Sequence, residues 1–567
     1  MQAPMFLGPL ALIFLVALGA AYLLHALRQP PLIGFLLAGA LLGPFGLALV
    51  EDVHVVETLA ELGVVLLLFT VGLELSLGNL RRLRRIVWIA GPIQVLGTIA
   101  IVFPVASALS LPPARSLFFG YLVALSSTAI VLKLLADRRE LDSPHGRFLI
   151  GILILQDLAV VPMLLSLEFL AGSEGAGLFA LLLSIGKMAL TAVGLVVAAR
   201  FLVPRFIGAL AGTRQKEIFV VAVLFLVLGS ALATSWAGLS PALGAFLAGL
   251  VLSESEYGHQ AMADISGFRD AFNAIFFVSI GMLFDPRVLL SQPALVAVLL
   301  GLILVWKTIA GGAAVLALGH GIRVALVVGL SLAQIGEFSF VLLRQGLAAG
   351  LITQDAYQTF LAAAIITMLA TPFLSEASHA FAQRLTAGAG SRSSPSSACA
   401  AEDHVIVIGF GHMGETVARV LKRAGVPFRV IDLDPDRVKR GTKLGVPIEY
   451  GDSTNDIVLK RVGIEKARAA IVLLSDPRAT RQTIRRCRAL SANLFLLARA
   501  RYLADIPALA SEGANEVVAE EFESSLEIAS RTLRHLGFPV PWVESEAAEI
   551  RSTRQDRFRK FRAPGTE

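Results

Sequence analysis

One carboxylate lies in the middle of a long apolar segment, where it could hold a proton or a metal cation. Between Phe148 and Leu165 every side chain is apolar or small except those of Gln156 and Asp157. An ionisable group at bilayer depth is costly unless it faces water or a partner, so it marks a functional site. We therefore predict that Asp157 is the ion-binding residue. A structural alternative is that the polar pair only links two helices.

A single buried carboxylate is sufficient for exchange chemistry. Asp157 could hold either a proton or a dehydrated monovalent cation but not both, because each neutralises the same charge. If the protein changes conformation only when this charge is neutralised, one proton moves against one cation and the cycle is electroneutral. Gln156 is expected to supply a carbonyl oxygen, because hard cations prefer oxygen ligands.

The composition places this carboxylate in a polytopic membrane protein. Of the 567 residues, 56% are hydrophobic and 16% are charged, and the mean hydropathy is +0.73. Soluble domains do not have these values. The net charge of +6 is small for this length and indicates no nucleic-acid surface. Cys399 and Cys487 are the only cysteines, so neither a disulfide framework nor a cysteine metal site is predicted.

The hydropathy pattern divides the chain into four parts. We predict a membrane domain over 1–382, a linker over 383–402, a soluble domain over 403–540 and a charged tail over 541–567 that is disordered or peripheral. Residues 1–24 are expected to form the first span rather than a removable signal. About thirteen apolar runs are long enough to be spans: roughly 6–24, 31–49, 57–77, 86–109, 115–136, 147–170, 178–203, 216–234, 238–253, 265–284, 292–318, 322–348 and 357–380.

Basic residues predict the orientation of these spans. Arginines concentrate in every second connection, including the cluster of Arg81, Arg82, Arg84 and Arg85, whereas the other connections hold few. Because cytoplasmic loops carry the excess of Lys and Arg, the N-terminus is expected outside and the soluble domain in the cytoplasm.

An internal repeat predicts where helices are interrupted. The segment 31–42 (PLIGFLLAGALL) recurs as 241–252 (PALGAFLAGLVL), and the segments 69–72 and 278–281 keep nearly the same offset. About seven spans separate the copies, so the second copy is inverted, as in secondary transporters. Polar or glycine-containing breaks at matching positions of the two copies mark a binding site. Ser127 and Thr128 lie in the first break and Glu337 follows the second, although the serines could instead bond within an intact helix.

One lysine also lies deep in an apolar span. Lys307 has roughly fifteen apolar or small residues before it, so an inward-facing role is at least as well supported as snorkelling. Asp157 and Glu337 are its expected charge partners, and the sequence does not decide between them.

A glycine-rich turn begins the soluble part. A strand at 404–408 is followed by Gly409, Gly411 and Gly414, with His412 and Met413 between them, and the next strand ends at Asp432. This order of strand, turn, helix, strand and acid is typical of a dinucleotide-binding Rossmann fold. The glycines allow a phosphate to approach the helix N-terminus, and Asp432 is expected to bind ribose hydroxyls.

Further alternation of strands and helices predicts a doubly wound sheet. Strands are expected at about 446–450, 469–474, 494–498 and 515–518, and Asp452 and Ser453 follow the first of these at the ligand edge. A nucleotide-free scaffold used only for dimer contacts is the alternative. No hydride acceptor or acid-base set accompanies the glycine turn, so we expect regulation and not enzymatic activity.

The membrane half resembles the monovalent cation:proton antiporters, in particular the Kef-type potassium/proton antiporters. The residues that carry the resemblance are Gln156-Asp157, the 68–74 segment, Ser126 to Ala129, the 276–282 segment, Lys307, and Gly336 to Phe338. The resemblance implies a homodimer with crossed, broken helices in a bacterial inner membrane. It also implies K⁺ or Na⁺ and H⁺ as substrates. Relatives that transport sodium often have two adjacent acids where this chain has Gln156 and Asp157.

The soluble part resembles the nucleotide-binding regulatory domains of potassium channels and transporters, including Kef proteins. The resemblance implies AMP or an NAD(H)-type nucleotide as the regulatory ligand. It also implies two further candidates: glutathione as a ligand, bound beside Arg499 and Arg501, and an ancillary cytoplasmic subunit as a partner. The Kef glycine motif has an arginine where this chain has His412.

Two other functions are compatible with parts of this pattern. A ligand-gated cation channel would carry the same soluble domain, but the chain has no selectivity-filter segment of the Thr-Val-Gly-Tyr-Gly kind. A membrane-tethered NAD(P)-dependent oxidoreductase would need substrate-domain residues that the sequence does not contain.

Overall fold

The computed structural model divides into two compact units, each of which is described by itself. One unit comprises Met1–Asp137, Arg147–Leu318 and Arg323–Phe381, and the other Arg138–Gly146, Gly319–Ile322 and Ala382–Glu567. The described residues are 7–27, 29–50, 53–74, 83–138, 140–172, 201, 203, 205–208, 210, 215–236, 240–387 and 403–559. The predicted span at 178–203, Arg81, Arg82 and most of the linker therefore lie outside the described residues.

The first unit is helical. Among the described residues, eight helical segments are long and apolar enough to cross a membrane. Its helices are α1 (Leu7–Ala26), α2 (Pro31–Leu42), α3 (Val53–Glu74), α4 (Gly91–Ala108), α5 (Pro113–Ala124), α6 (Thr128–Asp137), α7 (Pro144–Gly172), α8 (Lys216–Trp236), α9 (Pro241–Ser253), α10 (Gly258–Met282), α11 (Arg287–Ser291), α12 (Pro293–Ala317), α13 (Ile322–Ser331), α14 (Glu337–Ala348) and α15 (Gln354–Ala387).

The helix bounds confirm the predicted breaks and shorten one span. The run at 115–136 is split into α5 and α6, and the run at 322–348 is split into α13 and α14. In each copy of the repeat, two short half-helices therefore replace one long helix. Helix α2 ends at Leu42 instead of continuing to residue 49, because Pro44 has no amide hydrogen with which to continue the helical hydrogen bonds.

The repeated glycine motifs pack crosswise between the two copies. A Cβ atom on Gly39 of α2 would lie 2.0 Å from the Val278 carbonyl oxygen of α10, and one on Gly249 of α9 would lie 2.1 Å from the Phe69 carbonyl oxygen of α3. Gly281 and Gly72 are equally tight on the opposite sides of these contacts. Each contact combines a helix from the first copy with one from the second, as a pseudo-twofold relation requires. Small residues are needed here because the backbones nearly touch.

We expect Gly281→Ala to destabilise the membrane unit. The new Cβ would lie 2.1 Å from the Leu36 carbonyl oxygen, so α2 and α10 would have to separate. Overpacking of this kind costs about 1–3 kcal/mol, which exceeds the gain of about 1 kcal/mol from replacing a helical glycine. Thermal unfolding of the full chain in detergent measures the effect.

Gly301→Ala is the matched control. Gly301 lies in α12, and a Cβ there would meet nothing within 4 Å. The control should unfold at or above the temperature of the parent. Equal melting temperatures for Gly281→Ala and Gly301→Ala would contradict the close helix contact.

The second unit contains a six-stranded parallel sheet. Its strand order is β3-β2-β1-β4-β5-β6, which confirms the predicted doubly wound topology. The strands are β1 (His404–Ile408), β2 (Phe428–Asp432), β3 (Ile448–Tyr450), β4 (Ala467–Val472), β5 (Phe495–Ala500) and β6 (Glu516–Ala519). The helices are α16 (His412–Arg423), α17 (Pro435–Lys443), α18 (Asp456–Arg461), α19 (Pro477–Leu490), α20 (Ile506–Ser511), α21 (Glu520–His535) and α22 (Val540–Arg559).

The core of this unit explains the continuous apolar strands. All five residues of β1 are buried, because β1 lies in the middle of the sheet and helices cover both faces.

Burial in this core raises the pKa of the Cys487 thiol to about 12. The thiol therefore stays protonated at neutral pH and is unsuited to ligating a metal or acting as a nucleophile.

The charged tail, which was predicted to be disordered or peripheral, is helical from Val540 to Arg559. Helix α22 buries Val543 and Ala547, which are four residues apart on one face. The Phe538 ring stacks on Trp542 with centroids 5.2 Å apart, and Arg551 forms an ion pair with Glu523 of α21 at 3.0 Å. A few apolar residues at helical spacing are enough to pack one face of a charge-rich segment. Residues 560–567 lie outside the described part of the chain.

Candidate functional site

The two helix breaks lie against each other in the membrane unit. Between α5 and α6, the Leu125 carbonyl oxygen accepts from the Gly336 amide at 3.2 Å. The Ser126 hydroxyl donates to the Leu332 carbonyl oxygen at 2.9 Å. A Cβ on Gly336 would lie 2.5 Å from the Ser126 backbone, so only glycine allows this approach. Backbone groups freed by each break are thus bound by the other, which satisfies them away from water.

Asp157 faces the N-terminus of the half-helix α6. Its side chain on α7 is 7% exposed, and both carboxylate oxygens accept from the Thr128 hydroxyl, at 3.0 and 3.2 Å. Thr128 is the first residue of α6, where the helix dipole favours an anion. The Ser127 hydroxyl accepts from the Ile130 amide at 3.3 Å and caps the same helix. Three of the predicted ion-site residues therefore converge on one half-helix end.

Gln156 holds the first break in place. Its carbonyl oxygen accepts from the Ser126 amide at 2.7 Å, and its amide nitrogen donates to Gln94 Oε1 at 2.6 Å. Gln94 in turn donates to the Ala124 carbonyl oxygen at 3.1 Å. The oxygen that was expected to face a cation thus already accepts a backbone amide. Gln156 acts on the site through the backbone that it positions.

Gln94 is a site residue that the sequence interpretation missed. It is fully buried on α4 and also donates to the Thr98 hydroxyl at 3.3 Å. Two polar residues at i and i+4 in an apolar span were the available signal, because such a pair lies on one face of the helix. What Gln94 contacts, however, depends on residues 30 and 62 positions away.

Lys307 contacts a helix end rather than a carboxylate. Its ammonium on α12 is fully buried and donates to the Leu125 carbonyl oxygen at 2.6 Å. Among the described residues, no carboxylate oxygen lies within 4.0 Å of this nitrogen, which corrects the expected pairing with Asp157 or Glu337. Leu125 is the residue that follows α5, where the helix dipole is negative. Lys307 is therefore a hydrogen-bonding cap for the half-helix α5.

Glu337 lies on the other side of the same crossing. It is the first residue of α14, is 4% exposed, and one carboxylate oxygen accepts from the Ala129 amide of α6 at 3.4 Å. Ala129 directly follows Thr128, which binds Asp157. Two carboxylates from different helices are thus anchored to adjacent residues of α6.

The glycine turn of the second unit has the geometry of a phosphate-binding loop. Gly409 has φ +103°, in the left-handed region that favours glycine, and a Cβ on Gly414 would lie 2.0 Å from the Gly409 carbonyl oxygen. Gly411 is the N-cap of α16, and His412 and Met413 are exposed in its first turn. Such a turn at a helix N-terminus is suited to binding an anion.

Asp432 is tied to this turn. Its carboxylate accepts from the Phe410 amide and, at 2.7 Å, from the Asp434 amide. The Arg437 guanidinium lies 3.5 Å from the same carboxylate, and 3.6 Å from where a Cβ on Gly411 would be. Arg437 was missed, since nothing local distinguishes it from the other basic residues of α17. It places a positive charge beside the turn where a phosphate would bind.

Other predicted residues lie in two groups near the sheet. Asp452 accepts from the Thr454 amide at 3.0 Å and so shapes its own turn, while the Ser453 hydroxyl is buried against Thr483 of α19 at 3.0 Å. Arg499 forms an ion pair with Glu520, and Arg501 forms one with Asp142 of the Arg138–Gly146 segment in the same unit. Ser453 is therefore oriented toward the core, and both arginines already hold carboxylates.

The fold and the site together define a class of protein: a helical membrane protein built like a secondary transporter and joined to a Rossmann-like domain. The features that define it are the inverted repeat, the two crossed helix breaks with buried polar groups, and the doubly wound second unit. Residues 11–376 match the family of the sodium/hydrogen exchanger transmembrane domain, and residues 405–520 match the TrkA-N domain. The chain belongs to the sodium/hydrogen exchanger family and carries a C-terminal TrkA-N domain.

Curated relatives and solved structures agree with this assignment. The chain is 35% identical over 533 residues to K(+) efflux antiporter 2, chloroplastic, of Arabidopsis thaliana, covering 92% of this chain and 45% of that protein. It is 34% identical over 533 residues to YbaL of Escherichia coli (strain K12), covering 91% of this chain and 94% of that protein. The sodium proton antiporter MjNhaP1 of Methanocaldococcus jannaschii shares the fold, with a TM-score of 0.50 at 19% identity over 67% of this chain and 98% of that one. The chain thus spans less than half the length of that chloroplastic relative.

Proposed function

We propose that the protein exchanges a monovalent cation, K⁺ in the first place, for H⁺ at Asp157. The observation that carries the proposal is the buried Asp157 carboxylate at the N-terminus of α6, beside the crossing of two interrupted helices. The relatives support the proposal, since two proteins that align with 92% of this chain are named K(+) efflux antiporters. The alternative is selectivity for Na⁺ over K⁺, because some relatives transport Na⁺.

The exchange cycle follows from competition for one charge. With a cation or a proton bound, the Asp157 site is neutral and can change the side of the membrane to which it opens. Without either, the exposed charge resists passage through the low-dielectric interior. Thr128 supplies a hydroxyl oxygen next to the ion, while Gln156 and Lys307 hold the backbone around it. The resulting exchange is electroneutral.

Transport by the full chain in proteoliposomes tests this exchange. A pH gradient should drive saturable K⁺ uptake without a membrane potential, and the same assay with Na⁺ sets the selectivity. Flux that follows voltage alone and does not move protons would instead identify a channel. Nicotinamide oxidation or reduction by the full chain would identify the oxidoreductase.

The TrkA-N domain is proposed to gate this exchange by binding AMP or an NAD(H)-type nucleotide. The glycine turn, the N-terminus of α16 and the nearby Arg437 are suited to a phosphate, and Asp432 lies beside them for a ribose. Glutathione is the second candidate ligand. Its carboxylates would compete with Glu520 and Asp142 for the guanidinium groups of Arg499 and Arg501.

The assembly and location follow from the resemblance to Kef-type antiporters. The protein is proposed to act as a homodimer in a bacterial inner membrane, with the N-terminus outside and the TrkA-N domain in the cytoplasm. An ancillary cytoplasmic subunit is a further proposed partner.

We expect Asp432→Ala to impair nucleotide control without abolishing transport. The substitution removes the acceptor for the Phe410 and Asp434 amides, so the glycine turn loses its anchor as well as its ribose contact. AMP affinity of the full chain should fall at least tenfold, about 1.4 kcal/mol. Calorimetric titration with AMP measures the affinity, and proteoliposome exchange without nucleotide measures the basal rate.

Asp436→Ala is the matched control for this substitution. Asp436 is exposed on α17, four residues after Asp432. AMP affinity should stay within twofold of the parent. An equal loss of affinity in both variants would count against a ribose contact by Asp432.

A further inference from the structure

The second helix break contains polar atoms that have no protein partner. Both the oxygen and the nitrogen of the Gln334 side-chain amide are buried without a hydrogen-bond partner among the described residues, and so is Glu337 Oε2. Gln334 is fully buried and Glu337 is 4% exposed. Three such atoms thus lie within four residues, in the segment that connects α13 to α14 and in the first residue of α14.

Buried polar groups are nearly always hydrogen-bonded, because an unpaired one loses its contacts with water and gains nothing in return. The neighbours of Gln334 obey this rule. The Ile335 amide donates to the Thr367 hydroxyl at 3.1 Å, and the Gly336 amide donates to the Leu125 carbonyl oxygen at 3.2 Å. The backbone of this break is therefore satisfied within the protein, whereas the Gln334 amide group and Glu337 Oε2 have no partner among the described residues.

Glu337 is anchored at the same half-helix end as Asp157. Its Oε1 accepts from the Ala129 amide, next to Thr128, whose hydroxyl donates to Asp157. Thr128 and Glu337 are the first residues of α6 and α14, and they are 209 residues apart, close to the repeat offset. The two half-helices that follow the breaks thus bring one site residue each to the crossing.

We propose that Gln334 Oε1 and Glu337 Oε2 are ligands of the transported cation, so that the exchange site contains two carboxyl groups, of which Asp157 alone takes up and releases the exchanged proton. This inference rests on the proposed exchange function. A dehydrated monovalent cation needs several oxygen ligands, and Asp157 and Thr128 supply too few by themselves. The two unpartnered oxygens on the second break complete the set, and the second carboxylate makes the site selective for a cation over a neutral ligand.

The test compares Gln334→Leu and Glu337→Gln with the parent, as full chains in detergent and in proteoliposomes. Each variant should raise the apparent KM for K⁺ in pH-driven uptake at least tenfold. Each should also lose the rise in melting temperature that KCl gives over choline chloride. In choline chloride, Gln334→Leu should melt at or above the temperature of the parent, because an apolar side chain replaces an unpartnered amide.

Thr371→Val is the matched control. Thr371 is 1% exposed in the membrane unit, and its hydroxyl donates to the Thr367 carbonyl oxygen within α15. This variant should keep the KM and the KCl-dependent stabilisation of the parent. Glu337→Asp, which keeps the charge and shortens the side chain, should lie between the parent and Glu337→Gln. It also replaces Glu337→Gln if that variant does not fold.

The outcomes separate this inference from the exchange function itself. If the parent exchanges K⁺ for H⁺ but both variants keep KM within twofold and retain the KCl effect, the two-carboxylate site is wrong and the exchange function stands. If Gln334→Leu keeps its KM but melts lower in choline chloride, water and not the cation is the partner of the amide, and the inference fails. If the parent itself exchanges no cation for protons, the proposed function fails first.

Discussion

Asp157→Asn is expected to abolish cation/proton exchange. Asparagine keeps the shape of the side chain and an oxygen for the Thr128 hydroxyl, but it carries no charge that a proton or cation could neutralise. Exchange should fall at least 100-fold, about 2.7 kcal/mol, to the level of empty vesicles. The measurement is pH-driven K⁺ uptake in proteoliposomes with matched protein content.

Folding should survive this substitution. Because the hydrogen bond to Thr128 can be kept and a buried charge is removed, the melting temperature should stay at or above that of the parent. Asp355→Asn is the control, since Asp355 is exposed in the first turn of α15 and lies outside the crossing. It should exchange at the rate of the parent. Undiminished exchange by Asp157→Asn would refute the proposed mechanism.

Lys307→Met is expected to have the second largest effect. The substitution keeps the length of the side chain and removes the ammonium that donates to the Leu125 carbonyl oxygen. That oxygen still accepts from the Gly336 amide, so the loss is mainly that of a buried hydrogen bond at the C-terminal end of α5. The free energy of unfolding should fall by about 1–3 kcal/mol.

Exchange by Lys307→Met should also fall at least tenfold, because the first break would no longer be held at the position that Asp157 requires. Thermal unfolding and proteoliposome uptake together measure both effects. Lys133→Met is the matched control, since Lys133 is half exposed on α6 and pairs with Asp137 of the same helix. Surface pairs of this kind contribute at most about 1 kcal/mol. If both lysine variants behave alike, the capping role of Lys307 is excluded.

The location of the candidate site could be predicted from local sequence. Gln156 and Asp157 stand out because polar side chains in an apolar run have no solvent, and the breaks at 125–127 and 332–336 stand out because the repeat places them at matching offsets. The glycine turn of the TrkA-N domain could be predicted in the same way, because strand, glycine turn, helix and second strand follow one another within about thirty residues.

The tail illustrates where local composition was a poor guide. Residues 541–559 are rich in charge, so a disordered or peripheral segment was expected, and α22 forms there with Val543 and Ala547 buried. Composition averages over a segment, whereas burial of two residues on one helical face depends on the surface that another helix offers.

Sequence alone determined the class of the chain, the central carboxylate, the paired interruptions and the Rossmann-like domain, because hydropathy, periodicity and motif spacing are properties of neighbouring residues. Only the tertiary structure decided the partners. Lys307 meets a carbonyl 182 residues away, Gln156 meets Gln94 62 residues away, and Glu337 meets the Ala129 amide 208 residues away. Such contacts arise where distant helices pack, and a buried polar group has no preferred partner until that packing brings one within hydrogen-bonding distance.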